Sequence, residues 1–437
     1  MKTPIVIDIS HLASRASVNP HTGIDRVDIA YARAISRLNT PHVVGLCHSL
    51  LGQIVVSRDD IRKLIDEVDD HAHWRAEFDQ SEGVQELRRW LARSEKENEK
   101  LSINRISNNV RAKASWKDRM TTHVHSFLTD KHSLKIPQNS IYLNVAPHGI
   151  PAPQSFRWLE KRDDVKAVFF IHDLLPIDRP ELFPSNWLSG FERMVSAVTS
   201  RAAGFIVASE VMKSRVTAEV RKRGRAAIPI HVCALPPSFE NELESALQVE
   251  GALQMDGALA PYFVTCGTLE PRKNHLLLLN SWLELIEKGT RVPRLILVGK
   301  RGWGNQDVFA LLDSKRSLRG RVFEASGLSD TAKILLLRHA CGALIPSFDE
   351  GYGFPVVEAL SLGLPTAVSD IPIFHEVSQG QAIFCSPFDK KQWLTAIVNL
   401  SERSSTEWRR QAQRASDFQS PKWPNYFRSV LSFLSDL

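Results

Sequence analysis

The chain contains 437 residues, and 43% of them are hydrophobic and 24% charged, which is typical of a soluble globular protein. Its length is too great for one ordinary hydrophobic core and favours two domains. The net charge of +6 suits a phosphate-bearing substrate, an anionic membrane surface or a nucleic acid, and it does not choose among them.

Composition and the first residues exclude several classes of protein. No stretch approaches the roughly eighteen continuous apolar residues that a membrane-spanning helix needs, and the opening MKTPIVIDIS lacks the long apolar segment of a secretory signal. The five cysteines are scattered without a CxxC pair, so we expect neither a disulfide framework nor a zinc knuckle. A reducing cytoplasm fits this pattern best. No motif that reads RNA or DNA is visible, and we expect no nucleic acid partner.

Short β-branched runs alternate with helical patterns along the first half of the chain. The runs are PIVIDI, HVVGLC, SIYLNV, KAVFFIHD and GFIVAS, and this alternation predicts a parallel sheet covered by helices on both faces. Residues 51–135 interrupt the first domain with charged, mainly helical sequence. Much of its basic character lies in ELRRWLARSEKENEK and VRAKASWKDRM, which we interpret as a solvated helical insertion, with docking on an anionic bilayer as the alternative.

The same alternation recurs in the second half, with the runs YFVTCG, RLILVGK, RVFEASG, GALIPS, PTAVSD and AIFCS. The polar stretch 238–258 separates the two series. We therefore predict an α/β protein with two doubly wound domains, residues 1–240 and 258–415. A C-terminal helix within 416–437 is expected to pack back on the N-terminal domain.

In open sheets of this type, ligands bind outside the carboxyl ends of the strands. The loops that follow the predicted strands are therefore the places to search for a site. These loops are Ser10–Gly23, Pro147–Gly149, His172–Asp173, Gly267–Asn274, Lys300–Gly304, Gly327–Asp330 and Ser347–Glu358.

The segment CGTLEPRKNH follows a strand and begins a helix. Gly267 lets the backbone pass close to a ligand, and Arg272 and Lys273 stand side by side at the start of the helix. The unpaired N–H groups of a helix start already favour an anion, so two adjacent cations predict a diphosphate site. The alternative is an ordinary strand–turn–helix with solvent-exposed basic residues.

A second candidate is SFDEGYGFPVVEALSLGLP, which follows the strand GALIPS. Gly351 and Gly353 permit backbone geometries closed to other residues, and Pro355 suits a first helical turn. Glu350 then lies in the turn and Glu358 about one turn into the helix, both facing the edge of the sheet. Carboxylates accept hydrogen bonds from sugar hydroxyls, although Glu350 could instead cap the helix.

Glu350, seven intervening residues and Glu358 in EGYGFPVVEAL resemble the E-x7-E motif of retaining glycosyltransferases of the GT4 family. The resemblance continues through GTLEPRKNH, LILVGKRGW, GLSD and SDIPIFHEV. In the first half, HDLLPIDRPELFP resembles the bacterial mannosyltransferase-like branch of that family, and TGIDRV its first glycine loop. Residues 51–135 match no pattern of this kind.

The resemblance implies the GT-B fold, in which two Rossmann-like domains face a central cleft, and it implies a role for each matching residue. Glu358 would bind the nucleotide ribose, Glu350 and His172 the donor sugar, and Leu328 the base through its backbone. Arg272 and Lys273 would neutralise the departing diphosphate. The residues assigned to catalysis are Arg272, Lys273, Glu350 and His172; those assigned to the donor are Gly267, Thr268, Lys300, Leu328, Gly351, Gly353, Phe354 and Glu358; and those assigned to the acceptor or the cleft are Gly23, His148 and Asp173.

Several alternatives remain at these positions. Asp173 could cap the start of a helix, Gly23 could serve only the turn before one, and Trp303 could be packing. His148 also follows a predicted strand, as His172 does, but less in the sequence supports a contact between His148 and the sugar. No Asp-x-Asp triplet occurs in the chain, so the sequence supports neither a metal clamp nor a cofactor, and the two cations would replace the metal.

The sequence thus predicts a cytoplasmic, metal-independent, retaining hexosyltransferase. The resemblance favours mannose from GDP-mannose, and UDP- and dTDP-sugars remain open. The expected acceptor is a saccharide or lipid-linked saccharide of a surface polysaccharide, reached from the inner face of the membrane. The alternatives are a nucleotide-sugar epimerase, a phosphorylase, which would need a pyridoxal-phosphate lysine, and a non-catalytic nucleotide-binding subunit. A dehydrogenase is disfavoured because no GxGxxG follows the first strand.

Overall fold

A computed structural model of the protein describes most of the chain. His148 lies outside the described residues, as do residues 108–133 and most of the polar stretch before residue 260. The described ranges are 3–15, 22–40, 42–49, 52–78, 82–101, 105–107, 134–147, 153–240, 243–244, 246, 260–291 and 293–437.

The N-terminal domain is built on a seven-stranded sheet in the order β3-β2-β1-β5-β6-β7-β8. Every neighbouring pair is parallel except β2 and β3, which form an antiparallel edge. The central strands β1 and β5 are buried along their whole length, as expected for a sheet covered on both faces. The strands are β1 (Ile5–Asp8), β2 (Val43–Ser49), β3 (Gly52–Val56), β5 (Ile141–Asn144), β6 (Lys166–Phe170), β7 (Ala202–Val207) and β8 (Ile230–Val232).

The C-terminal domain has a second seven-stranded sheet, in the order β14-β13-β12-β9-β10-β11-β4, and all of its pairs are parallel. Two sheets that are parallel apart from the β2–β3 edge, with helices between their strands, confirm the predicted doubly wound architecture. The strands are β4 (Arg105–Ser107), β9 (Tyr262–Cys266), β10 (Arg294–Val298), β11 (Val322–Ser326), β12 (Gly342–Ile345), β13 (Thr366–Ser369) and β14 (Ile383–Cys385).

Helices connect these strands and cover both sheets. Short 3-10 turns at 153–161, 180–182 and 271–273 accompany them. The α-helices of the described residues are α1 (Ser10–Arg15), α2 (Gly23–Ser36), α3 (Arg58–Phe78), α4 (Glu82–Ala92), α5 (Glu95–Glu99), α6 (Leu175–Asp178), α7 (Ser185–Arg201), α8 (Glu210–Lys222), α9 (His275–Glu287), α10 (Gln306–Ser314), α11 (Arg316–Arg319), α12 (Asp330–Arg338), α13 (Phe354–Ser361), α14 (Pro372–Val377), α15 (Lys390–Leu400), α16 (Thr406–Ser416) and α17 (Trp423–Asp436).

The C-terminal helix α17 packs on the N-terminal domain, as the sequence predicts. Tyr426 shares a 2.7 Å hydroxyl–hydroxyl hydrogen bond with Tyr31 of α2, and their rings meet edge to face at 5.8 Å. His231 of β8 stacks on Phe433 at 5.0 Å. The helix thereby ties the end of the chain to the domain that begins it.

Part of the segment 51–135 contacts the C-terminal domain, which the sequence analysis did not anticipate. Strand β4 pairs with β11 at the edge of the second sheet, with Arg105 opposite Glu324. Trp90 of α4 is fully buried, with its ring 5.1 Å from Phe323, and the guanidinium of Arg294 lies 4.7 Å above it. Helix α3 instead packs on α2 in the N-terminal domain, so the segment joins both domains.

The Trp90 contact gives a stability prediction. The Trp90 indole N–H donates to the carbonyl of Arg319 at 3.2 Å, and Trp90→Phe removes this bond together with part of the buried ring. We expect the free energy of unfolding to fall by about 1–2 kcal/mol in urea denaturation. Val398→Ala is the control, because Val398 is 48% exposed, and it should change stability by less than about 0.5 kcal/mol. Equal stabilities would show that α4 does not pack on the C-terminal sheet.

Candidate active site

The glutamate-containing turn lies where strand β12 ends at the carboxyl edge of the C-terminal sheet. Gly353 adopts a φ of +99°, which only glycine adopts without strain, and this residue leads directly into α13 with Pro355 in its first turn. Glu350 in the turn and Glu358 in the helix are only 6% and 4% exposed. Buried carboxylates need partners, and the neighbouring loops supply them.

Arg272 and Lys273 both bind Glu350. Arg272 Nη1 lies 2.5 Å from Glu350 Oε2, and Lys273 Nζ lies 2.6 Å from Glu350 Oε1. The hydroxyl of Ser347 donates to the same Oε1 at 2.8 Å. Arg272 Nη2 also contacts Glu270 Oε1 at 2.6 Å. The two cations therefore point into the domain beside the strand ends and not outward to solvent.

Local backbone geometry places the two cations. They belong to the 3-10 turn at 271–273, which ends at Asn274 in the left-handed conformation (φ 53°), so α9 starts only after them. Gly267, with φ +136°, lies beside the Lys273 stem. A Cβ there would lie 3.0 Å from Lys273 Cε. A side chain at position 267 would therefore crowd the Lys273 side chain where it extends towards Glu350.

The charges of this cluster shift the pKa values of its carboxyl groups. Burial alone would raise the pKa of Glu350, but the charges of Arg272 and Lys273 and its hydrogen bonds outweigh burial and lower it to about 2. Burial raises the pKa of Glu270 and of Asp173 despite the nearby Arg272. Glu350 is therefore the firmly ionised carboxylate of the cluster.

Glu350 should make stability depend on pH. Its folded pKa of about 2 lies below its ordinary value of 4.5, so its contribution is full above about pH 5 and is lost as the pH falls towards 2. Glu270 and Asp173, whose pKa values are raised, act in the opposite direction. The test is therefore the difference between wild type and Glu350→Gln in urea denaturation, and we expect this difference to shrink between pH 5 and pH 2.

Glu284 offers a matched control for this titration. Hydrogen bonds from Lys288 and Lys390 also lower the pKa of Glu284 to about 2, but this group lies at the surface. Salt screens exposed pairs more than buried ones. In 1 M salt the effect of Glu284→Gln should largely vanish while that of Glu350→Gln persists. A pH-independent difference at Glu350 would contradict the assignment.

Glu358 is held by partners that the sequence analysis missed. Lys333 Nζ lies 2.9 Å from Glu358 Oε1, and the hydroxyl of Ser238 donates to the same oxygen. Lys333 also lies over the ring of Phe239 at 5.2 Å. Ser238 and Phe239 belong to the chain that leads out of the N-terminal domain, so Glu358 faces the junction of the two domains. Leu328 is half-buried in the loop after β11.

His172 and Asp173 bring the N-terminal domain against the Glu350 turn. His172 donates from Nε2 to the Val145 carbonyl at 2.8 Å, and Asp173 Oδ1 accepts the Leu175 N–H at 3.1 Å where α6 begins. A Cβ on Gly351 would lie 2.5 Å from the His172 carbonyl oxygen. Asp173 therefore makes the helix-start contact that the sequence offered as an alternative, and it also lies at the cleft beside Gly351.

Other predicted positions lie around this contact. A Cβ on Gly23 would lie 2.8 Å from Phe354 Cδ2, so α2 of one domain abuts the start of α13 of the other. Thr268 is half-buried and Lys300 is exposed on the neighbouring loops. The indole N–H of Trp303 donates to the Leu182 carbonyl at 3.4 Å, and its ring packs on Trp187 of α7 at 4.8 Å, which supports a packing role across the domains.

Ion pairs across the two domains were also not foreseen. Arg26 of α2 contacts Asp330 at the start of α12, with Nη2 2.6 Å from Oδ1. Arg215 of α8 contacts Asp349, with Nη2 2.8 Å from Oδ1. The partners are more than a hundred residues apart in the chain, and no local sequence pattern marks them.

In the described part of the chain, no helix is long and apolar enough to span a bilayer, and no three His, Cys, Asp or Glu side chains gather as a metal site.

Comparison with known proteins shows what the chain is similar to. Residues 259–416 match the family model described as glycosyl transferases group 1, and the match lies in the C-terminal half of the chain. Solved structures covering the whole chain include Anabaena HepE in complex with UDP (TM-score 0.55, 13% identity, all of that chain) and sucrose-phosphate synthase from Thermosynechococcus elongatus (TM-score 0.59, 12% identity, 99% of that chain). These likenesses confirm the GT-B fold.

Curated relatives match part of the chain. The serotype-specific mannosyltransferase WbdA of Escherichia coli is 29% identical over 227 residues, which are 50% of this chain and 28% of WbdA. The O-antigen chain mannosyltransferase RfbU of Salmonella typhimurium is 31% identical over 142 residues, which are 32% of this chain and 38% of RfbU. The aligned parts are therefore well under half the length of these relatives.

Proposed function

We propose that the protein is a retaining glycosyltransferase that transfers mannose from GDP-mannose to a saccharide or lipid-linked saccharide of a surface polysaccharide. Residues 1–240 would carry the acceptor side and residues 258–415 the donor site. The observation that carries the proposal is the convergence of Arg272 and Lys273 on Glu350 at the carboxyl edge of the C-terminal sheet. The mannosyltransferase relatives support the choice of sugar.

The chemistry follows from where charge develops. The bond between the anomeric carbon and the diphosphate breaks, and its electron pair leaves with the phosphate. Arg272 and Lys273 are held in place before this step by Glu350 and Glu270, so they can stabilise the new charge without reorganising. The acceptor oxygen would attack on the same face, and its proton would pass to the departing phosphate. We propose that these two cations take the place of a metal ion.

The carboxylates would orient the donor. Glu350 would accept hydrogen bonds from sugar hydroxyls, and Glu358 would accept them from the ribose after exchanging its contact with Ser238. His172, which the hydrogen bond from its Nε2 to the Val145 carbonyl holds in the N-terminal domain, would contact the donor sugar from that side. The backbone at Leu328 would meet the base.

The test is a panel of GDP-mannose, UDP-glucose and dTDP-glucose, assayed for thermal stabilisation, for hydrolysis and for transfer to lipid-linked saccharides with and without EDTA. A donor at a hundred times its Kd stabilises the fold by about 2.7 kcal/mol. We expect GDP-mannose to stabilise most, transfer to survive EDTA, and NMR of the product to show retained anomeric configuration. Stabilisation by none of the three would overturn the donor site.

Two other outcomes would favour the competing functions. Conversion of a sugar nucleotide without an acceptor would indicate an epimerase. Nucleotide binding that survives Glu350→Ala, together with no turnover, would indicate a non-catalytic subunit.

We also propose that the protein works at the inner face of the membrane, where a lipid-linked acceptor is held. Flotation with anionic vesicles tests this location, and recovery of all protein in the vesicle-free fraction would contradict it.

A further inference from the structure

Helix α8 of the N-terminal domain meets the C-terminal domain at two points. At its start, the carboxylate of Glu376 accepts the backbone N–H groups of Glu210 (2.6 Å) and Val211 (3.0 Å). These first-turn groups have no partner within the helix, so a carboxylate from the other domain satisfies them. One turn later, Arg215 Nη2 lies 2.8 Å and 3.1 Å from the two carboxylate oxygens of Asp349.

Asp349 links Arg215 to the backbone of Glu350. Asp349 Oδ1, the nearer oxygen to Arg215, also accepts the backbone N–H of Glu350 at 2.8 Å. The carbonyl of Asp349 accepts from Arg272 Nη1 at 3.1 Å. The turn that carries Glu350 is therefore fixed by a cation of its own domain on one side and by Arg215 of the other domain on the other.

Arg215 also has a partner within its own domain. Its Nη1 lies 3.6 Å from Asp178 Oδ2, at the end of α6. If the two domains separate, Asp178 keeps the guanidinium near its place, whereas the contact with Asp349 is lost. The Arg215–Asp349 ion pair is therefore present only when the two domains are in contact. The Gly351 backbone against His172 marks the same closed arrangement.

We propose that Arg215 is a positioning residue that couples domain closure to the placement of Glu350 against the donor sugar. This inference rests on the proposed glycosyl transfer. Arg215 touches neither reacting atom. It holds Asp349, and Asp349 accepts the backbone N–H of Glu350, so docking of α8 fixes the backbone of a turn whose carboxylate Arg272, Lys273 and Ser347 already hold. The donor itself binds to the C-terminal domain, and its affinity does not need Arg215.

The test uses the full-length protein with Arg215→Met, Asp349→Asn and the double variant, assayed for transfer from GDP-mannose. Loss of a hydrogen bond to a charged group in the closed state should lower kcat about tenfold in each single variant, while the KM for donor stays within about threefold. The double variant should be no slower than the slower single variant, because both changes break one contact. Arg215→Lys should recover part of kcat.

Lys213→Met is the matched control on the same helix, because Lys213 pairs only with the exposed Glu210 in the contacts described, and its kcat should equal that of wild type. Independent losses that multiply in the double variant, or a kcat for Arg215→Met within twofold of wild type, would overturn the inference. If Arg215→Met does not fold, Asp349→Asn carries the same test from the other domain. An inactive wild type with every donor would instead refute the proposed function.

Discussion

Arg272→Met is expected to lower kcat for transfer from GDP-mannose by about 10²–10³, the loss found when one preorganised donor to a developing oxyanion is removed. Arg272 is held by Glu350 at 2.5 Å and by Glu270 at 2.6 Å, so its guanidinium is already aimed when the donor arrives. Its pKa is raised by these neighbours, which outweigh burial, and it stays charged at every working pH.

Arg272→Lys separates charge from shape. A lysine keeps the charge but cannot hold two carboxylates and a carbonyl with one planar fork, so we expect an intermediate loss of kcat. Lys288→Met at the far end of α9 is the control, since Lys288 is exposed and pairs only with Glu284 among the described contacts. A kcat for Arg272→Met within threefold of wild type would show that this cation does not stabilise the departing phosphate.

Much of the fold could be predicted because strong local patterns specify it. All eleven strand runs identified from the sequence are present, since each is a β-branched apolar segment that ends in a turn. The strands that were missed are β3, β4 and β8. Each lies at the edge of a sheet, where fewer residues must be apolar, and β4 is only the three-residue segment RIS, in which Ile106 alone is apolar.

The sequence also indicated which residues of the C-terminal domain gather at the ends of its strands. Arg272, Lys273, Glu350 and Glu358 lie in contiguous motifs that follow strands, and the structure brings the first three into direct contact. Lys333 and the ion pairs that Arg26 and Arg215 make between the domains were not predictable. Their meaning depends on which surfaces the two domains present to each other, and that information is spread over the whole chain.

The same distinction explains the segment 51–135. Its charged, periodic sequence predicts helices, and helices α3, α4 and α5 are present. Whether a helix lies on one domain or the other depends on single buried anchors such as Trp90. From the sequence alone, one tryptophan in a charged segment is as compatible with an exposed position as with a buried one.

Gly351→Ala should show what the closed arrangement contributes to activity. The added methyl would lie 2.5 Å from the carbonyl oxygen of His172 and 2.6 Å from Asp173 Cβ, distances that real side chains do not adopt. Both neighbours are the backbone or its first side-chain atom, so they cannot turn away. The two domains must then move apart, and a displacement of about 1 Å at a reacting centre can cost about a hundredfold in rate.

We therefore expect kcat/KM for Gly351→Ala to fall about a hundredfold while each domain keeps its fold, as judged by circular dichroism and by GDP binding. Gly190→Ala is the matched control. Gly190 lies in the exposed part of helix α7, nothing lies within 4 Å of its added Cβ, and alanine should even stabilise the helix by about 0.5–1 kcal/mol. If Gly351→Ala retained full activity, the turn carrying Glu350 would not lie against His172 during turnover, and domain contact at that point would have no part in catalysis.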